Sequence, residues 1–141
     1  MLESRFVPGP PQDPEPLPYL RVAGEWGLDI ELEVEVAHTV VSRTNARGLY
    51  WTMPQQLAHA TSNGASIRTG DLFASGTISG ADPGSEGSLI ELTRNGAHPI
   101  RLGDGSSRTF LEDGDEVVLR GRAGDVELGE VRGTILPARS S

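Results

Sequence analysis

Glu91 lies inside the apolar run Leu89-Ile-Glu-Leu92, where a buried carboxylate must find a partner or give up its charge. Upstream of it, Ser75-Gly-Thr-Ile-Ser-Gly80 gathers small residues and hydroxyls at what reads as a strand end leading into a long loop. Backbone amides and hydroxyls so arranged, Thr77 among them, suit a carboxylate or carbonyl oxygen. Glu91 then either orients a catalytic histidine or is an outward-facing strand residue, and the pattern by itself leaves both open. The stretch from Ser75 to Gly87 lacks the Gly-Lys-Ser/Thr ending of a phosphate loop and has no evident helix after it, which argues against a nucleotide site.

Three other groups invite chemistry. Glu31, Glu33 and Glu35 alternate along one strand face, at an expected spacing of about 7 Å, which would let two of them share Mg²⁺ or Ca²⁺. No further ligands complete a set around them, so they read as the solvated outer face of a strand. The acidic turn Glu112-Asp-Gly-Asp-Glu116 lacks the offsets of a calcium loop and reads as a hairpin turn. His38, His59 and His98 share no metal-ligand spacing, and none forms a triad pattern with a serine and a carboxylate, so all three read as structural.

The elements that must position these groups are mainly short strands. Asp29–Val36 places Ile30, Leu32, Val34 and Val36 on one face and the glutamates on the other, the period of a half-buried strand. Further strands are expected over Asp71–Ile78, Leu89–Arg94, His98–Leu102, Glu116–Arg122 and Val126–Ile135. Turns at Asn95-Gly96, Gly103-Asp-Gly105 and Asp113-Gly114 separate them. Thr52 to Gly64 reads as a short helix with a Thr52/Gln55 capping box and Pro54 in its first turn. A start near Asn45 would instead make Pro54 a kink. Six prolines between Val7 and Leu20 exclude a helix there and favour an extended, polyproline-like crossing. Short strands with one helix predict a mainly β fold, an antiparallel β-sandwich or roll. The division is a proline-rich lead-in over 1–20, a domain over 21–137 and a tail over 138–141.

At 141 residues the chain has the length of one domain. Its formal charge of −8, from 20 acidic and 12 basic residues, repels phosphate backbones and anionic membranes, so no nucleic acid or membrane partner is expected. It has no cysteine, which removes disulfides and thiolate chemistry and is compatible with a reducing cytoplasm. No apolar run approaches the roughly 20 residues of a membrane helix, and the first residues carry no apolar secretory core. A cytoplasmic protein is expected.

Four segments carry a more specific signal: Pro11–Arg21 (PQDPEPLPYLR), Tyr50–Gly64 (YWTMPQQLAHATSNG), Gly70–Thr93 (GDLFASGTISG, then GSEGSLIELT) and Phe110–Val117 (FLEDGDEV). They resemble consecutive segments of the fumarylacetoacetase family, in the same order and over nearly the whole chain. The resemblance implies the C-terminal part of that catalytic fold, in a metal-dependent hydrolase that splits 4-fumarylacetoacetate into fumarate and acetoacetate. That reaction is the last step of tyrosine and phenylalanine breakdown. It further implies a diketo acid substrate, a homodimer and Mg²⁺ or Ca²⁺. By the same resemblance Thr77 contacts substrate and Glu91 orients the histidine that activates water.

The departures are equally informative. The family's metal carboxylates, histidine base and substrate-handling lysine and tyrosine lie upstream of the proline-rich lead-in, so no metal ligand is assigned here. Glu31 and Glu33 imitate a metal-binding Glu-x-Glu, but their flanks match a later strand of the family. Pro54 stands where the family carries a large apolar residue. The expectation is a fragment that is inactive alone. The alternative is a non-catalytic β-domain or degenerate remnant acting, if at all, as a binding or oligomerisation module, and a third reading keeps the enzyme but turns it to an acylpyruvate-type substrate. Exposed apolar strand faces are expected to make the chain self-associate.

Overall fold

The computed structural model describes residues 6–24 and 26–139. The start of the lead-in, with the N-terminal residues that lack a secretory core, and the end of the 138–141 tail lie outside the described residues. Strand alternation builds the centre. β3 (Glu31–Val36) pairs antiparallel with β4 (Thr39–Asn45) on one side and β7 (Glu116–Ala123) on the other, and β8 (Val126–Thr134) closes the order β4-β3-β7-β8. Leu32 faces Thr44 and Gly121, Val34 faces Ser42 and Leu119, and Val36 faces Thr39 and Val117. The intervening residues put Glu31, Glu33 and Glu35 on the opposite face beside Arg43, Arg120 and Arg122. The two-residue turn joining β3 to β4 holds Ala37 and His38 at φ 44° and 61°, the left-handed pair that matches strand twist in a tight hairpin.

Two ribbons flank the sheet: β1 (Phe6–Val7) with β2 (Gly27–Leu28), and β5 (Ile100–Arg101) with β6 (Ser107–Arg108) around the Gly103-Asp-Gly105 turn. The molecule is mainly antiparallel β with few helices, as the pattern of short strands predicts, and the described sheets do not close into a barrel.

Helix α1 (Met53–Thr61) starts directly after Thr52, whose backbone N–H donates to Gln55 Oε1 at 3.0 Å. Pro54 therefore occupies the first turn, where its missing N–H breaks no helical bond, and the Asn45 start with a kink does not occur. Gln55 is buried and also donates to Gln12 Oε1 at 2.8 Å and to the Leu20 carbonyl at 3.0 Å. The extended lead-in, which tightens to a 3₁₀ turn at Pro18–Leu20, is thereby fastened to α1.

Three expected strands differ. Asp71–Ile78 forms no strand: it is an almost wholly exposed loop, with Leu72 95% accessible. Leu89–Arg94 is not a strand but begins with a one-turn helix, α2 (Leu89–Leu92). A four-residue apolar run does not distinguish strand from helix, and two local signals decide for helix. Ser88 and Glu91 have capping-box spacing, and Arg94, Asn95 and Gly96 at φ 48°, 57° and 82° end the turn. His98–Leu102 contributes only Ile100–Arg101 as a strand. The acidic Glu112–Glu116 segment does turn at Asp113-Gly114, but it feeds β7 from a separate ribbon and joins no hairpin.

Candidate functional site

The loop from Ser75 to Ser88 folds back on itself and delivers its hydroxyls to the start of α2. Gly80 N–H donates to the Ser85 carbonyl at 2.8 Å, Ser85 N–H to Asp82 at 3.0 Å, and Gly84 N–H to Glu86 Oε2 at 2.7 Å. Arg43 N–H, on the outer edge of β4, donates to the Gly84 carbonyl at 3.1 Å and ties this loop to the sheet. At Gly87 the two arms of the loop touch. A Cβ there would overlap the Ile78 carbonyl oxygen and lie 2.8 Å from Thr77 Cγ2, so only glycine fits this crossing.

Thr77 and Glu91, far apart in the chain, are thus brought to one loop–helix junction. Glu91 Oε2 accepts from Ser88 Oγ at 2.7 Å and from Ser79 Oγ at 2.8 Å, and Ser79 Oγ accepts from Gly87 N–H at 3.0 Å. Ser88 first, then Ser79, hold the Glu91 carboxyl below the usual carboxylate range, because both O–H groups stabilise the charged form. The expected buried carboxylate is corrected here, since both Glu91 and Thr77 are exposed. At the third position of a helix Glu91 leans back over the first turn.

Beside this junction, a cavity of about 430 Å³ separates α2 from the apolar face of the sheet, with Val34, Val36, Leu89, Ile90 and Phe110 in its walls. None of the three histidines donates to Glu91 among the described residues. His59 Nδ1 lies 3.2 Å from Tyr19 Oη, and His38 Nδ1 lies 3.8 Å from Glu35 Oε1 on the hairpin turn.

The glutamates of β3 are held by arginine. Glu31 meets Arg122 at 2.6 Å, Glu33 meets Arg43 at 2.9 Å, and Glu35 meets Arg120 at 2.7 Å. Guanidinium groups occupy the lone pairs a hard cation needs and add like charge beside it. Among the described residues no three His, Asp or Glu side chains converge on one point. These carboxylates do not fit Mg²⁺ or Ca²⁺. Ser88 carried no expectation from the sequence, although its spacing to Glu91 is a legible signal; Ser79 was legible as a loop hydroxyl but not as a partner of Glu91.

The family model for the C-terminal region of fumarylacetoacetate (FAA) hydrolases matches residues 8–136. The chain is 46% identical over 144 aligned residues to a fumarylacetoacetase of Rattus norvegicus, covering 95% of this chain and 34% of that protein. It is 45% identical over 142 residues to a fumarylacetoacetase of Homo sapiens, covering 94% and 34%. With a fumarylacetoacetase of Emericella nidulans it shares 52% over 131 residues, covering 86% and 30%. The chain spans about a third of the length of the curated relatives it matches.

Proposed function

Because the chain belongs to the fumarylacetoacetate (FAA) hydrolase C-terminal family, we propose that it forms one wall of a hydrolase site acting on the carbon–carbon bond of 4-fumarylacetoacetate. The observation that carries this reading is the Glu91 carboxylate, fixed by two serines on one oxygen, at the end of a loop whose Gly87 packs against Thr77. A carboxylate held ionised suits the orientation of an imidazole: it accepts the imidazole N–H and stabilises the imidazolium that forms when the ring takes a proton from water. The hydroxide equivalent adds to a carbonyl of the 1,3-dicarbonyl, the carbon–carbon bond breaks, and the departing carbanion is protonated. Thr77 donates or accepts a hydrogen bond to a substrate oxygen. The imidazole itself belongs to the two thirds of the relatives' length that this chain does not span. Mg²⁺ or Ca²⁺, a homodimeric state, a cytoplasmic setting and a place in tyrosine and phenylalanine breakdown belong to this proposal, with the cation bound outside the carboxylates of this chain.

The test is a chimera in which residues 8–136 replace the matching segment of the rat fumarylacetoacetase. The chimera should hydrolyse fumarylacetoacetate, Glu91→Gln should lower kcat by about 100-fold or more, and Thr77→Val should raise KM. The 141-residue chain assayed alone should be inactive. Turnover by the isolated chain would refute its need for other residues. A folded but inactive chimera would favour a binding or oligomerisation module.

A further inference from the structure

Glu91 is held in an uncommon way. A Ser-x-x-Glu helix start ordinarily crosses its bonds, with the serine side chain taking the glutamate backbone N–H and the carboxylate taking the serine backbone N–H. At α2 the Ser88 side chain caps no backbone group and donates instead to the carboxylate, at 2.7 Å. The second donor, Ser79, arrives from the other arm of the loop at 2.8 Å. A hydroxyl has one proton and two lone pairs. Gly87 N–H fills a lone pair of Ser79 Oγ at 3.0 Å and leaves the proton to point at Glu91. Both donors land on Oε2, and among the described residues no hydrogen bond reaches Oε1.

We propose that Ser79 and Ser88 are the positioning residues of Glu91: together they fix its rotamer and present Oε1 to the group it orients. This deepens the catalytic reading above and rests on it for the role of Glu91, while the clamp is a property of the chain itself. Gly87 belongs to the same device, since its crossing over Ile78 sets where Ser79 sits. The Glu91 carboxyl held below its usual range, owed first to Ser88 and then to Ser79, agrees with the geometry.

The experiment is a site-resolved carboxyl titration by NMR of the full 141-residue chain with ¹³C-labelled glutamate, the Glu91 signal being assigned by its loss in Glu91→Gln. Ser88→Ala and Ser79→Ala should each move the Glu91 midpoint upward, Ser88→Ala the further of the two, and the double variant furthest. Ser88→Thr and Ser79→Thr, which keep the hydroxyl, should return it toward the starting value. A merely structural serine would leave the midpoint in place. An unmoved Glu91 in both alanine variants overturns the clamp, and so does an equal rise in the threonine variants. Should Ser79→Ala fail to fold, Ser88→Ala and its threonine partner decide alone. The titration needs no turnover, so an inactive chimera would sink the catalytic reading without touching the clamp, and an unmoved midpoint would sink the clamp without touching catalysis.

Discussion

Among single residues, Asp115 shows how a charge is kept inside so small a core. Its side chain is 4% exposed and receives Arg108 Nε on Oδ2 and Nη2 on Oδ1, both at 3.0 Å, plus the Glu112 N–H at 2.8 Å. Arg108 first holds the Asp115 carboxyl below its ordinary value, against the opposing effect of burial. Asp115→Asn should lower unfolding stability at pH 7 by about 2 kcal/mol, read from the urea midpoint, because a charged, bidentate acceptor is lost. The sign of the pH dependence follows. The unfolded carboxyl takes up its proton first, near pH 4, so the contribution is whole above that pH and is lost as pH falls through the lower folded value. The variant should therefore show a flatter loss of stability between pH 5 and pH 2, a window about as wide as ordinary carboxyl titration allows. An identical acid limb in both proteins would show that Asp115 does not titrate with folding. The acidic turn was legible in the sequence as a turn. That one of its carboxylates is buried was not, because its partner Arg108 comes from another ribbon.

At the scale of elements, legibility followed the length of the periodic signal. β3 alternates over a full strand and was readable, as were β7, β8 and the start of α1 at Thr52. α2 was misread because four apolar-flanked residues carry no period, and the decisive cap lies outside the run. The Asp71–Ile78 loop was misread because a hydrophobic pair, Leu72-Phe73, imitates a strand that no neighbour pairs. The candidate site inherits both errors: Glu91 and Thr77 take their assigned roles only from a resemblance, and the serines that hold Glu91 depend on a fold-back that one sequence does not show. Helix α1 offers a direct check on local rules. Pro54→Ala should change stability by less than about 0.5 kcal/mol, since the first turn needs no N–H from that residue. Gln55→Ala should cost about 2 kcal/mol, because it strips the half-buried Thr52 N–H and the buried Leu20 carbonyl of their partner. Faster amide exchange at Leu20 in Gln55→Ala would confirm that α1 anchors the lead-in. Equal effects of the two substitutions would mean that neither cap nor anchor matters.

Taken whole, the molecule has more surface than its mass explains. A folded 15.0 kDa monomer is expected to expose about 7000 Å² by the surface scaling of monomeric proteins, whereas this chain exposes 9822 Å². Large apolar side chains contribute to it: Leu72, Leu136, Val131, Leu17 and Ile90 are 95%, 77%, 70%, 61% and 54% accessible. One sheet face is spared by a ladder of ion pairs running Arg43–Glu33–Arg120–Glu130–Arg132–Glu116 across all four strands. Among the described residues the other face, with α2 and the loop above it, has no such cover, so the hydrophobic effect favours contact there with other protein surface. The chain should therefore self-associate, its weight-average mass in sedimentation rising with concentration. Its net charge of −8 opposes that association, and salt screens the repulsion within about 10 Å at 0.1 M. Added NaCl should accordingly raise the mass further, the opposite of what an interface made of ion pairs would do. A monodisperse monomer with a cooperative melt at every concentration would show that the apolar face is stable in water and that nothing need cover it.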